Sequence, residues 1–299
     1  MENDIKRIKS EIIKFFPSSI KALITDEMLE GVEEFRIRVN KPFIISYNDK
    51  EEVLSHIVMS EELLRCFEMI CNNSVYAYQE EIANGFITIP GGHRVGICGK
   101  ALYKGNAIYS LRDISSINIR VARQIIGVAD SVISNINNNG DFLSTLIVSP
   151  PGLGKTTLLR DIIRQISNSG KNVGVVDERF EIASTYKGVA QNDLGIHTDV
   201  IDGIHKSEGI LMLVRAMKPD FIATDEIGEN SDIEAILTAV NAGVKIVATA
   251  HGKDETDLKR RTRLYELLDK GVFEKIIYID KYRSYNVCNV GELYENNKI

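Results

Sequence analysis

The sequence predicts an α/β chain of two domains, a smaller α+β domain over residues 1–122 and a domain built on a mainly parallel sheet over 123–299. Three observations carry this. A chain of 299 residues exceeds what one ordinary core organises. From about Asp141 onward, apolar runs of strand length alternate with helical patterns, the rhythm of a parallel sheet covered on both faces. Between the first such run and the first such helix lies a glycine-rich loop.

In the N-terminal part, Ile5, Ile8, Ile12, Ile13 and Phe16 recur at helical spacing. Phe35 to Val39 alternates as a strand, Lys41-Pro42 reads as a turn, and Phe43-Ile44-Ile45 resumes the strand pattern. Glu61 to Ile70 places Leu63, Leu64, Phe67 and Ile70 on one helical face, and Gly85 to Tyr103 is strand-like with glycine punctuation. The domain boundary is expected near Arg120 to Arg123.

In the C-terminal part, Phe142 to Val148 has the length of a buried strand. Leu158, Leu159, Ile162, Ile163 and Ile166 mark the face of a helix that Gly170 ends. Residues 172–176, 221–224, 245–250 and 275–279 are further strands, with helical patterns over 233–240 and 258–268. Asn137-Asn138-Asn139-Gly140 is a polar turn before the first strand.

Composition narrows the class. Net charge is −6, with 44% hydrophobic and 26% charged residues, a soluble globular balance with no general attraction for nucleic acid or an anionic membrane. The first residues lack the apolar core of a signal peptide, and no apolar run approaches the roughly 20 residues that cross a bilayer. A cytoplasmic protein is expected, held at a membrane only through partners. Cys66, Cys71, Cys98 and Cys288 have no metal-binding spacing and read as reduced thiols.

The loop is Ser149-Pro150-Pro151-Gly152-Leu153-Gly154-Lys155-Thr156-Thr157. Its strand–loop–helix setting is that of a P-loop, whose backbone N–H groups wrap the phosphates of ATP at the positive end of a helix. Lys155 is placed to reach the β and γ oxygens, and the Thr156 hydroxyl to ligate Mg²⁺. Ser149 stands where the motif has its first glycine. Pro150 biases that position to an extended backbone, which serine adopts without strain.

Phe221-Ile222-Ala223-Thr224 is an apolar strand ending in Asp225-Glu226. In such enzymes the first acid holds the metal and the second orients the attacking water, which assigns Asp225 and Glu226 to those roles. Two more strand ends should meet the same crevice. One carries Asp177-Glu178-Arg179-Phe180-Glu181, with Glu178 the catalytic candidate or the whole segment a solvated turn. The other carries His251, placed to sense the γ-phosphate.

The series SPPGLGKTT, VVDERFEIA, RAMKPDFIATDEIG and ATAHG resembles the secretion-type ATPases of type II and type IV systems. EEFRIRVNKP, GGHRVGICGK and SINIRVAR narrow the likeness to their sporulation branch, the stage III sporulation protein AA family of endospore-forming bacteria. The resemblance implies a RecA-like motor domain, ATP and Mg²⁺ as ligands, and a ring that is hexameric. It also implies arginines delivered from the N-terminal domain or a neighbouring subunit, with Arg94, Arg112, Arg120 and Arg123 on the matching segments. It implies a mother-cell protein that energises or gates a channel complex in the membranes between mother cell and forespore. Two other readings stay open. One is a RecA-like nucleic-acid ATPase, suggested by Lys259-Arg260-Arg261-Thr262-Arg263, although Glu255, Asp257 and Glu266 nearby favour a mixed-charge surface. The other is a slowly hydrolysing, nucleotide-gated scaffold.

Overall fold

Alternating apolar and polar residues shape the first part of the chain into a sheet with one buried face. The computed structural model describes residues 2–48 and 50–292; residues 293–299, the end of the expected second domain, lie outside the described residues. The chain divides into two units, Met1–Arg123 and Gln124–Ile299.

In the first unit, helix α1 (Glu2–Glu11) precedes strands β1 (Val32–Arg38), β2 (Pro42–Tyr47) and β3 (Lys50–Ile57). Helix α2 (Ser60–Ile70) and strands β4 (Phe86–Ile89), β5 (His93–Lys104) and β6 (Ala107–Arg120) follow. The sheet order is β3-β2-β1-β6-β5-β4, every pair antiparallel. Val32, Phe35 and Ile37 of β1 are buried, while Glu34, Arg36 and Arg38 alternate toward the open face. Phe35 and Phe43 stack at 6.4 Å between ring centroids, and Phe16 meets them edge-on at 5.4 and 5.8 Å. His93 is fully buried, its Nε2 2.9 Å from Glu11 Oε2 and its Nδ1 accepting from the Ala122 amide at 3.0 Å.

Two expectations shift here. The turn before β2 centres on Asn40, which takes φ +59°, and Pro42 already opens the strand, where its missing N–H is tolerated. Leu64, expected on the buried face of α2, is 50% exposed, and Cys66 takes its place in the core.

The second unit is a seven-stranded sheet. Its strands are β7 (Thr145–Ser149), β8 (Val173–Asp177), β9 (Thr198–Asp202), β10 (Phe221–Thr224), β11 (Lys245–His251), β12 (Lys275–Ile279) and β13 (Tyr285–Asn289). They lie in the order β9-β8-β10-β11-β7-β12-β13. All pairs are parallel except the terminal hairpin β12–β13. Within one strand, Leu146 and Val148 enter one core and Ile147 the other, so both faces are buried. Helix α3 (Lys155–Asn168) covers one face. Helices α4 (Lys206–Ala216), α5 (Asn230–Asn241) and α6 (Thr262–Asp269) cover the other. Within α3, the buried Asp161 accepts hydrogen bonds from the Ala129 amide (2.8 Å) and Arg164 Nε (2.8 Å). Burial alone would raise its pKa; those donors outweigh it and hold the carboxyl below its ordinary value.

The expected strand 142–148 starts only at Thr145, because Asp141–Phe142 pairs instead with Asn137–Asn138 in a two-residue ladder. The helical pattern over 258–268 is two pieces, Glu255–Arg260 and α6, separated at Arg261 with φ −91° and ψ 77°.

Candidate active site

Parallel strands end on the same edge, so β7, β8, β10 and β11 bring Ser149, Asp177, Asp225 and His251 to one side of the sheet. Strand β11 lies between the loop strand and the strand bearing Asp225, and its His251 stands in register with Ser149.

The loop between β7 and α3 turns through Gly152 (φ +77°) and Gly154 (φ +96°). A Cβ at either would meet open space, so backbone conformation, not crowding, calls for glycine. Ser149 closes its strand in extended form and its hydroxyl donates to the Pro150 carbonyl at 2.8 Å. Lys155, only 6% exposed, donates to the carbonyls of Ser149 (3.1 Å) and Pro150 (3.3 Å) and lies 3.2 Å from His251 Nδ1. Burial lowers its pKa, and the charge of Glu226 works against that.

Asp225 is fully buried, and neither carboxylate oxygen has a hydrogen-bond partner among the described residues. Its pKa is pushed up to about 6, chiefly by burial; Lys206 opposes the rise, while Asp177, Glu181 and Glu226 add to it. A carboxylate left without donors suits a hard divalent cation. No group of three or more acidic, histidine or cysteine side chains among the described residues is arranged to hold a metal by itself. Mg²⁺ fits that donor set, because it keeps waters and binds through one or two protein groups plus phosphate oxygens.

Glu226 sits at φ +42°, an unfavourable backbone for this residue type. Two hydrogen bonds to Thr249 of β11 pin the turn: the Glu226 amide donates to the hydroxyl at 2.8 Å and the Ile227 amide to the carbonyl at 2.9 Å. His251 Nε2 lies 2.9 Å from Glu226 Oε1, and Arg179 Nη1 holds Oε2. Because Lys155 can only donate, His251 Nδ1 must accept from it, which leaves the ring proton on Nε2, facing Glu226.

The acidic segment divides into separate tasks. Asp177 spends its carboxylate on the amides of Glu181 (2.8 Å), Ile182 (3.0 Å) and Ala183 (2.8 Å), so it shapes the turn. Glu178 is engaged by Lys206 and by His205 Nδ1 at 3.0 Å. Burial would raise its pKa; those two partners overcome that and lower it. Lys206, 5% exposed at the start of α4, and Thr249 are site residues that sequence reasoning did not single out. A lysine opening an apolar helix and a threonine inside an apolar strand were the available signals. Glu178, Arg179, Lys206, Glu226, His251 and Arg261 are among the residues lining a cavity of about 520 Å³, and no residue of the loop 149–157 lines it.

The candidate arginines Arg94, Arg112, Arg120 and Arg123 all belong to the first unit. Arg94 lies 3.7 Å from the centroid of the Phe86 ring, Arg112 3.5 Å from Asp113, and Arg120 3.9 Å from Glu34. Arg123 donates to the Val32 carbonyl at 2.9 Å. In the basic cluster, Lys259 pairs with Glu255, Arg261 with Asp257 at 3.7 Å, and Arg263 with Glu266 at 3.5 Å.

Residues 6–298 match the family model described as "Sporulation stage III, protein AA". The chain is 37% identical over 295 residues to the stage III sporulation protein AA of Bacillus subtilis (strain 168), spanning 96% of this chain and 95% of that relative. Among solved structures it is similar to the ATPase DotB of Yersinia pseudotuberculosis, with TM-score 0.62, 15% identity and coverage of 94% and 82% of the two chains. It is also similar to the pilus retraction motor PilT with bound ADP, with TM-score 0.60, 14% identity and coverage of 89% and 83%. At such identity the likeness is one of fold.

Proposed function

The chain belongs to the sporulation stage III, protein AA family, and from that premise we propose that it is an ATP-hydrolysing RecA-like motor. The observation that carries the proposal is the contact series from Lys155 through His251 to Glu226, beside a buried, donor-free Asp225.

In this reading Lys155 leaves the Ser149 and Pro150 carbonyls for the β and γ oxygens of ATP, and the loop amides cradle the phosphates. Thr156 and Asp225 would hold Mg²⁺, which neutralises charge on the phosphate oxygens. Glu226 orients a water for in-line attack on the γ-phosphorus and takes its proton as the bond to the β–γ bridging oxygen breaks. His251 holds Glu226 and links it to the lysine at the phosphates. An arginine of the first unit or of a neighbouring copy, with Arg94, Arg112, Arg120 and Arg123 as candidates, completes the neutralisation. Such an arrangement favours a ring, hexameric in this proposal. Its task would be to energise or gate a channel complex from the mother-cell cytoplasm through membrane-protein partners. No helix among the described residues is long and apolar enough to cross a membrane. Nucleic acid is a poorer partner, because three of the basic residues at 259–263 already face carboxylates.

The test is a pair of variants assayed for ATP binding, hydrolysis and particle mass by light scattering. Lys155→Ala is expected to abolish binding. Glu226→Gln is expected to keep ATP bound, favour the assembled state and slow turnover by about 10²- to 10⁴-fold. Unchanged turnover in Glu226→Gln would remove the proposed water-orienting role.

A further inference from the structure

Both carboxylate oxygens of Glu226 are taken: His251 Nε2 holds Oε1 and the Arg179 guanidinium holds Oε2. A carboxylate that is to orient a water needs one of those oxygens back. The two partners differ in how readily they let go. His251 is anchored from behind by Lys155. Arg179 comes from the turn after β8, is 56% exposed, and forms a pair in contact with solvent, the kind that adds little stability and exchanges cheaply.

The site also sets the direction of exchange. Only His251 and Glu226 separate Arg179 from Lys155, the residue placed at the β and γ oxygens. A terminal phosphate carries more negative charge than a carboxylate and offers the planar fork of a guanidinium two oxygens at once. Of the other cations lining the same cavity, Lys206 is buried and tied to Glu178, and Arg261 pairs with Asp257 at 3.7 Å and not with Glu226, so Arg179 is the cation that already holds the carboxylate in question.

We propose that Arg179 is the positioning residue by which this chain distinguishes ATP from ADP, resting on Glu226 when no γ-phosphate is present and moving onto that phosphate when one arrives. The transfer links two events: the γ-phosphate gains a cation from within the same unit, and Glu226 regains the oxygen it needs for water. This inference rests on the nucleotide-binding reading above.

The experiment is equilibrium binding of fluorescent ADP and of a non-hydrolysable fluorescent ATP analogue to the full chain and to Arg179→Ala, Arg179→Lys, Glu226→Gln and the double variant Arg179→Ala/Glu226→Gln. Arg179→Ala is expected to leave ADP affinity unchanged, which also reports an intact fold, and to weaken the triphosphate analogue about 10- to 100-fold. Arg179→Lys should restore part of that loss. Glu226→Gln, which takes away the charge that holds the guanidinium, should tighten the analogue several-fold, and the gain should vanish in the double variant. An unchanged analogue-to-ADP ratio in Arg179→Ala overturns the inference. So does a Glu226→Gln gain that persists without the arginine, since simple relief of carboxylate–phosphate repulsion would then explain it. A wild-type chain that binds neither nucleotide defeats the nucleotide reading and this inference with it; binding of both, with no response to Arg179, defeats this inference alone.

Discussion

The two units solve the same problem, burying a sheet, with opposite consequences for chemistry. The first pairs its six strands antiparallel, so polar residues alternate along one open face and meet across strands in its middle, as Glu34, Arg36, Arg94 and Arg120 do. The second pairs its strands in parallel and buries both faces, so polar groups are driven to the strand ends. Four strands thereby deliver Ser149, Asp177, Asp225 and His251 to one edge. The parallel sheet gathers its polar groups at an edge, the antiparallel one on a face.

That contrast can be broken by mutation. The largest expected effect is at a strand end of the second unit: Asp225→Asn should lower Mg²⁺-dependent ATP turnover by about 10³-fold, equivalent to about 4 kcal/mol. Its thermal unfolding midpoint should not fall, because a neutral side chain relieves the burial of an unpartnered charge. A parallel loss of stability would mean that Asp225 serves the core. The next effect belongs to the first unit, where Phe35→Ala should cost about 3–5 kcal/mol in urea unfolding by emptying the Phe16–Phe35–Phe43 cluster. Asp161→Asn tests a buried carboxylate in the second unit whose work is structural. Its pKa is depressed in the fold, so its contribution is present above the ordinary carboxylate range and lost as pH falls through the lowered value. The variant should lose about 2–3 kcal/mol at pH 7 and show a flatter decline of melting temperature below about pH 4. Smallest is Arg120→Ala on the open antiparallel face, with a stability change under about 0.5 kcal/mol by urea titration. Any fall in its turnover then reports chemistry and not folding.

How much of this the sequence disclosed follows the same divide. Strands 221–224 and 275–279 are legible to the residue because the first is wholly buried and the second holds the buried apolar residues Ile276, Ile277 and Ile279. Thr198–Asp202 escaped notice because it is an edge strand, half-exposed and polar, with no apolar run to mark it. The break at Arg261 was hidden by apolar spacing that continues across it, since periodicity registers faces and not backbone continuity. In the site, Lys155, Asp225, Glu226 and His251 could be singled out because each follows its own strand or loop at a fixed offset. The grip of Arg179 on Glu226, and of Lys206 and His205 on Glu178, could not, because those pairs meet only through the spatial order of β8, β10 and α4. Read along the chain, Asp-Glu-Arg is indistinguishable from a solvated turn.

The left-handed backbone of Glu226 sets a hazard for anyone improving this protein. Glycine or asparagine would relax that φ of +42°, so selection for heat tolerance alone should enrich substitutions here as it would at Lys187 or Lys218, which share the left-handed backbone. Such a library would climb in melting temperature while discarding the proposed water-orienting carboxylate. The residue is kept in an unfavourable shape by two hydrogen bonds from its turn to Thr249. A thermostable lineage that retains activity should therefore find such gains at other left-handed positions, Lys187, Lys218 and Arg283, and should leave residues 226 and 249 alone.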